Sequence, residues 1–236
     1  MHKTAAPFIL YAFISSVSTL AAEPAPHPLS ITPDSASALE QRLSAEGFVD
    51  VRAVDSTIRV DLKYARADNF MKANVYGAFS KCYLRREAAE KLARANAHLR
   101  TLRPGWSLLV ADGLRPRRVQ RRMWEIVQGT PMQRYVANPR WGSMHNYGCA
   151  VDLTIADSSG NRLDMGCPID HFGPLSQPRL EQQYLREGKL TEEQIANRRL
   201  LRTVMTEAGF QPLAIEWWHF NAFDKKTVRE RYSIVE

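Results

Sequence analysis

The chain has 236 residues, of which 44% are hydrophobic and 24% charged, and a formal charge of +7. These values are ordinary for a soluble globular protein, and the length supports a core large enough to fold without a disulfide or metal as a staple. The basic residues fall in local runs (Arg85–Arg86, Arg115–Arg122, Arg198–Arg202). These read as solvated helix faces with no interleaved aromatics, which argues against nucleic acid as a partner.

The chain opens with MHKTAAPFILYAFISSVSTLA, a basic start at Lys3, an apolar run, and small residues at Thr19 and Ala21. This is the pattern of a cleaved secretory signal over residues 1–21. A membrane anchor is the competing reading, but the apolar run is short and broken by Ser15, Ser16 and Ser18. The expectation is an exported protein, periplasmic, with no stable membrane insertion after cleavage and a charge of +6 once Lys3 is lost. Residues 22–36, AEPAPHPLSITPDSA, read as a flexible Pro-rich leader, which leaves 37–236 as a single domain. Three cysteines in an exported chain leave at least one unpaired within the molecule. Cys149 reads as a buried filler, while Cys82 and Cys167 could pair.

In chain order, Ile58, Val60 and Leu62 alternate with charged residues, the period of a half-buried strand. RREAAEKLARANAHLR sets Ala88, Leu92, Ala95 and Leu99 on one helical face. WSLLVADGL reads as a buried strand, and Pro116 opens a helix through PRRVQRRMWEIV. Residues 143–155 end in a strand, and 157–180 form a Gly/Pro-rich loop. Thr191 and Gln194 make a capping-box pattern for a helix that stops at Gly209. FQPLAIEWWHF closes the set as a strand. Helices segregated from hairpin-like strands predict an α+β domain, with helices packed against a central antiparallel sheet and a site in a cleft.

Three pieces of sequence carry chemistry. In SMHNYGCAVDLTI, strand alternation points Cys149, Val151, Leu153 and Ile155 to one face and Asp152 to the other, beside Ala150. Gly148 permits the turn that brings His145 to the same cavity. In EWWHF, Glu216 and His219 sit among aromatics, where ionisable groups need a partner or a metal. Their spacing of three places them on opposite faces of a flat strand, so a shared cavity requires a bend or bulge. His145, Asp152 and His219 together form a two-His, one-carboxylate set that leaves a position for water, as in catalytic zinc sites. Glu216 is then the natural general base. In DGLRP, Arg115 precedes a proline at a strand end and could stabilise an oxyanion. Zinc suits these ligands, although other divalent ions bind the same donor types.

These pieces, with DLKYARADNF (61–70) and MGCPIDHF (165–172), in this order, resemble the zinc D-alanyl-D-alanine dipeptidases, relatives of the vancomycin-resistance dipeptidase. The match runs from about residue 45 to 223. The His-containing motifs are shared with D,D-carboxypeptidases and L,D-endopeptidases, whereas YARADNF and EWWHF point to dipeptidases. The resemblance implies one zinc ion on His145, Asp152 and His219, Glu216 as base and later proton donor, and Arg115 as stabiliser of the tetrahedral intermediate. It also implies that Tyr64, Ser143 and Asp170 surround the substrate, with Asp170 receiving its free ammonium. Leu114 stands where an aromatic is expected and Cys167 where a small hydroxyl residue is, departures that touch substrate preference and spare the metal set.

The substrate so implied is the free dipeptide D-Ala-D-Ala, hydrolysed outside the cytoplasm in peptidoglycan turnover or D-alanine scavenging. The alternatives are a D,D-carboxypeptidase or endopeptidase acting on longer muropeptides, and a metal-containing cell-wall binding module without turnover. The presence of both Glu216 and Arg115 argues against the last.

Overall fold

The computed structural model describes residues 29–236. The expected signal and residues 22–28 of the expected leader lie outside the described residues. The end of that leader is ordered: Ile31 is buried, and helix α1 (Pro33–Ala45) starts where flexible chain was expected. Thr32 accepts the Ser35 N–H, Pro33 occupies the first turn, and Asp34 faces the positive end of the helix. The Pro/Ser/Asp composition that reads as a linker is here a helix start.

A small antiparallel pair joins β1 (Phe48–Asp50) to β3 (Tyr83–Arg85), with the short helix α2 (Val51–Val54) after β1. The main sheet has the order β2-β4-β5-β7-β6. Its strands are β2 (Arg59–Val60), β4 (Ser107–Asp112), β5 (Ala150–Ala156), β6 (Gln211–Leu213) and β7 (Glu216–Asn221). The pairs β4–β5, β5–β7 and β6–β7 are antiparallel, as expected, but β2 runs parallel to β4, so the sheet is mixed. The α+β expectation holds. The alternation at 58–62 gives only two strand residues, because a 3-10 turn at Lys63–Ala65 bends the chain away. The predicted last strand is a hairpin, β6 and β7, rather than one element.

Helix α3 (Arg86–Leu102) buries Ala88, Leu92, Ala95 and Leu99, the face its periodicity predicts. Pro116 is the cap residue of α4 (Arg117–Val127), which buries Val119, Met123 and Val127. After the short helix α5 (Glu181–Arg186), α6 (Glu192–Glu207) begins with the predicted capping box: Gln194 N–H donates to Thr191 Oγ1 (3.1 Å), and Thr191 N–H donates to Gln194 Oε1 (2.9 Å). Helix α7 (Lys225–Arg231) follows β7.

Every residue of β5 is buried, so both its faces are covered. The face that carries Asp152 is an interior wall and not a solvated strand face. Gly148 turns the chain into β5 at φ 66°, and a Cβ there would come within 2.5 Å of the Phe48 ring. Gly148→Ala combines left-handed strain with this clash. It should destabilise the fold by about 2–3 kcal/mol, read as a lower denaturation midpoint.

One sequence expectation fails here, and one question the sequence left open is answered. Arg198 is buried, not solvated: its guanidinium donates to Met165 O (2.7 Å), Leu175 O (3.1 Å) and Cys167 Sγ (3.4 Å), which ties the 165–175 loop to α6. A buried arginine is stable only with such partners, and they lie more than 20 residues away. Cys82, Cys149 and Cys167 are all buried and free, so Cys82 and Cys167 do not pair. Cys82 instead packs against Gly113. Among the described residues, no helix is long and apolar enough to cross a membrane.

Candidate active site

The register of the sheet builds the site. Asp112 at the end of β4 is opposite Asp152 on β5, after a bulge between Val110 and Asp112, and Asp152 is opposite His219 on β7. Three functional side chains thus share one row across three adjacent strands. The β6–β7 pairing also slips, from Pro212–Phe220 to Leu213–Glu216. This irregularity supplies the bulge that the spacing of Glu216 and His219 required, and both residues line one cavity.

All eight residues singled out in the sequence meet at this cavity of about 150 Å³: Tyr64, Arg115, Ser143, His145, Asp152, Asp170, Glu216 and His219. Phe70, Tyr135, Phe172 and Trp218 add aromatic walls. Phe172 stacks on Tyr135, with ring centroids 4.4 Å apart, and meets Phe70 edge-on at 4.8 Å.

His145, Asp152 and His219 place one ligand-type atom each within 4.8 Å of the others. His145 Nε2 lies 3.2 Å from His219 Nδ1 and 3.4 Å from Asp152 Oδ2, and His219 Nδ1 lies 2.9 Å from Asp152 Oδ1. The outer ring nitrogens assign the tautomers. His145 Nδ1 donates to Gly113 O (2.8 Å), and His219 Nε2 donates to Asn221 Oδ1 (3.0 Å). With a cation at the centre each ring would turn its inner lone pair onto it; without one, His219 Nδ1 carries the proton that bonds Asp152. Such a cluster of acceptors calls for a cation at its centre. The charges agree: burial opposes a proton on His219, yet the hydrogen bond and charge of Asp152 outweigh it and raise the His219 pKa. Burial would likewise raise Asp152, but His145 and His219 hold it well below the usual carboxylate range. The donor set fits a divalent metal ion with imidazole and carboxylate preference.

Arg115 is buried and anchored by three of its five N–H donors. Its Nε donates to Asp112 Oδ2 (3.0 Å), its Nη2 to the same oxygen, and its Nη1 to Gln120 Oε1 (3.0 Å). Nη2 also lies 3.9 Å from Asp152 Oδ2. Asp112 is held from its other oxygen by Tyr76 OH. The Arg115 carbonyl accepts from Asn146 Nδ2 (2.7 Å), and the Arg115 N–H donates to His145 O (3.0 Å), so the strand end and the histidine turn are clamped together.

Asp170 stands at φ 65°, a left-handed conformation rare outside glycine and typical of functional positions. Its Oδ1 accepts from Tyr64 OH (2.9 Å), while Oδ2 is buried without a hydrogen bond and lies 3.9 Å from Lys63 Nζ. Burial, reinforced by the charge of Asp152, pushes its pKa up to about 7. Burial and Asp152 also raise Glu216. Ser143 Oγ is buried with no hydrogen bond. The cavity thus holds two unsatisfied oxygen functions beside the metal-type cluster, a cost that a polar ligand would relieve.

A model of the peptidase M15 family, described as D-Ala-D-Ala dipeptidase, matches residues 44–236. The chain belongs to this family. Curated relatives agree. It is 33% identical over 173 residues to the D-alanyl-D-alanine dipeptidase of Escherichia coli K12, covering 73% of this chain and 83% of that protein. It is 31% identical over 180 residues to the enzyme of the same name from a Synechocystis strain, covering 64% and 73%. To the Enterococcus faecium D-alanyl-D-alanine dipeptidase it is 28% identical over 194 residues, covering 74% and 90%. Membership makes the chain a peptidase, a hydrolase acting on a small peptide.

Within this family fold, several supporting residues escaped the sequence reading. Asp112, Gln120 and Tyr76 position Arg115, and Asn221 and the Gly113 carbonyl orient the two histidines. Asp112 had a signal, a carboxylate ending an otherwise apolar strand in DGLRP. Asn221 is two residues beyond His219, on the same strand face.

Proposed function

We propose that this chain is an exported zinc dipeptidase that hydrolyses free D-Ala-D-Ala to two D-alanines. What carries the reading is the convergence in one small cavity of the His145–Asp152–His219 donor set, Glu216, and the unpaired Asp170 oxygen. The names of the relatives support the substrate. A volume of about 150 Å³ is below the ~300–1,000 Å³ of pockets for larger ligands, which favours a dipeptide over a long muropeptide.

His145, Asp152 and His219 would hold the zinc ion, which when bound supplies Lewis acidity to the peptide carbonyl and acidifies water. Asp170 and Tyr64 receive the substrate ammonium, and Ser143 Oγ offers a hydrogen-bond partner to the peptide. An ammonium opposite a buried carboxylate enforces a free N-terminus, since a blocked one would leave Asp170 unpaired. Glu216 accepts the proton of the attacking water and returns it to the departing amine. Arg115, fixed by Asp112 and Gln120, faces the oxygen that gains negative charge.

The deciding experiment supplies zinc-loaded protein with D-Ala-D-Ala, its N-acetylated form and a muramyl pentapeptide, and quantifies released D-alanine. Cleavage of the free dipeptide alone is expected. Release from the blocked or longer substrates would place the chain among carboxypeptidases, and release from none would leave a binding module. Metal removal provides a separate check. Chelated, dialysed protein should gain roughly 10 °C in Tm when zinc is restored to about a thousandfold above its Kd. The basic N-terminal start, apolar run and small residues support export, and a role in peptidoglycan turnover or D-alanine scavenging follows from it.

A further inference from the structure

A free dipeptide carries a carboxylate as well as an ammonium. The arginine that lines the catalytic cavity, Arg115, is anchored on Asp112 and Gln120 and is committed to the developing oxyanion. An α-carboxylate held beside Asp152 and Glu216 with no cation of its own would be repelled.

The chemistry of the reaction sets the direction in which that carboxylate points. Tyr64 and Asp170 take the ammonium, and Glu216 returns a proton to the departing amine, so the C-terminal residue attached to that amine lies on the Glu216 side. Glu216 is also a boundary: with Tyr135, Phe172 and Trp218 it lines both the catalytic cavity and a second one of about 450 Å³. Tyr64 and Asp170 line the first alone of these two.

The second cavity carries two groups suited to a carboxylate. Arg134 and His171 line it, and neither side chain has a hydrogen bond or ion pair among the described residues. The Arg134 guanidinium lies 4.8 Å from the centre of the Tyr135 ring, and Tyr135 stacks on Phe172 at 4.4 Å, so two aromatic contacts in series hold the cation beside the cavity. A guanidinium stacked on a ring keeps its N–H donors in plane, free to fork onto a carboxylate. Glu216, at the boundary with the catalytic cavity, is the one acid among the lining residues.

We propose that Arg134 and His171 form the subsite for the α-carboxylate of the departing residue. This assignment, which rests on the dipeptidase reading, gives the substrate a partner at each end: Asp170 for the ammonium, Arg134 for the carboxylate. It selects peptides that end at the residue being released, because an amide-linked continuation brings no charge to Arg134.

The test sets D-Ala-D-Ala against D-Ala-D-alaninamide, which keeps the ammonium and the scissile bond and replaces the carboxylate by a neutral amide. Zinc-loaded parent should prefer the free acid about thirtyfold in kcat/KM, the worth of a charge-assisted hydrogen bond. Arg134→Gln should cut that preference to about threefold, by raising KM for the free acid with kcat little changed. Arg134→Lys keeps the charge and should retain most of it. His171→Phe combined with Arg134→Gln should abolish it. Arg134 is exposed and His171 half-buried, so these variants should fold. Equal kcat/KM on acid and amide in the parent, or a preference unchanged by Arg134→Gln, would overturn the subsite and leave the dipeptidase reading standing. Cleavage of neither peptide would refute that reading, and the subsite with it.

Discussion

Glu216→Gln should lower kcat about a thousandfold while zinc stoichiometry and Tm stay at the parent values. The amide keeps the shape of the carboxylate but cannot accept a proton from water, and general acid–base groups contribute roughly 10²–10⁴ to rate. The environment of Glu216 suits a two-way proton carrier. Burial and the neighbouring Asp152 raise its pKa, so once protonated it holds the proton long enough to deliver it to the leaving amine. The variant also separates roles at the site. Loss of zinc would make Glu216 a ligand, in conflict with the donor atoms of His145, Asp152 and His219, which cluster without it. Retention of a tenth or more of the parent kcat would place the proton transfer on another group.

Asp170→Asn should cost about 3 kcal/mol of transition-state binding, a loss of about 10² in kcat/KM for the free dipeptide, because the ammonium loses its charged partner. The same change should stabilise the metal-free fold at alkaline pH. Asp170 has a pKa raised to about 7 by burial and by Asp152, against an ordinary value near 4. A carboxyl raised on folding contributes stability that is whole below about pH 4 and is lost as pH rises through about 7, on the order of 4 kcal/mol at most. Asparagine does not titrate and tolerates the left-handed backbone at this position. Metal-free Asp170→Asn should therefore melt roughly 5–10 °C above the parent at pH 8 and much closer to it at pH 4.5. Activity should show the converse dependence. In the parent, kcat/KM for the dipeptide should fall on the acid side as Asp170 takes up its proton and the ammonium loses its partner, and the variant should lack that part of the acid limb. A variant that is inactive yet no more stable at pH 8 would mean that Asp170 is not strained by its charge.

Helices were the most legible part of the fold. The face of α3, the capping box of α6 and the start of α4 at Pro116 depend on residues within one or two turns. Strands were less so. The pattern at 58–62 describes burial correctly at Ile58 and Leu62, but only partner strands fix how far pairing extends. The beginning of α1 was hidden because Pro, Ser and Asp serve both linkers and helix starts, and Ile31 finds its place only against the rest of the core. Arg198 is the sharpest case. Its sequence setting is that of a solvated helix, and its burial follows from carbonyls and a thiol on a loop that precedes it.

At the site, the sequence alone determined the chemical inventory: the two histidines, the strand aspartate, the aromatic-flanked glutamate, and the need for a bulge between Glu216 and His219. Each of these follows from residue type and local spacing. Only the tertiary structure decided the row Asp112–Asp152–His219, the inward ring nitrogens of both imidazoles, the anchoring of Arg115, and the meeting of the catalytic cavity with the one that carries Arg134. These depend on strand register and on contacts between residues as far apart as the 74 positions from His145 to His219 and the 106 from Tyr64 to Asp170. Local spacing carries no information about such pairings, because they are selected by the burial of the whole sheet at once.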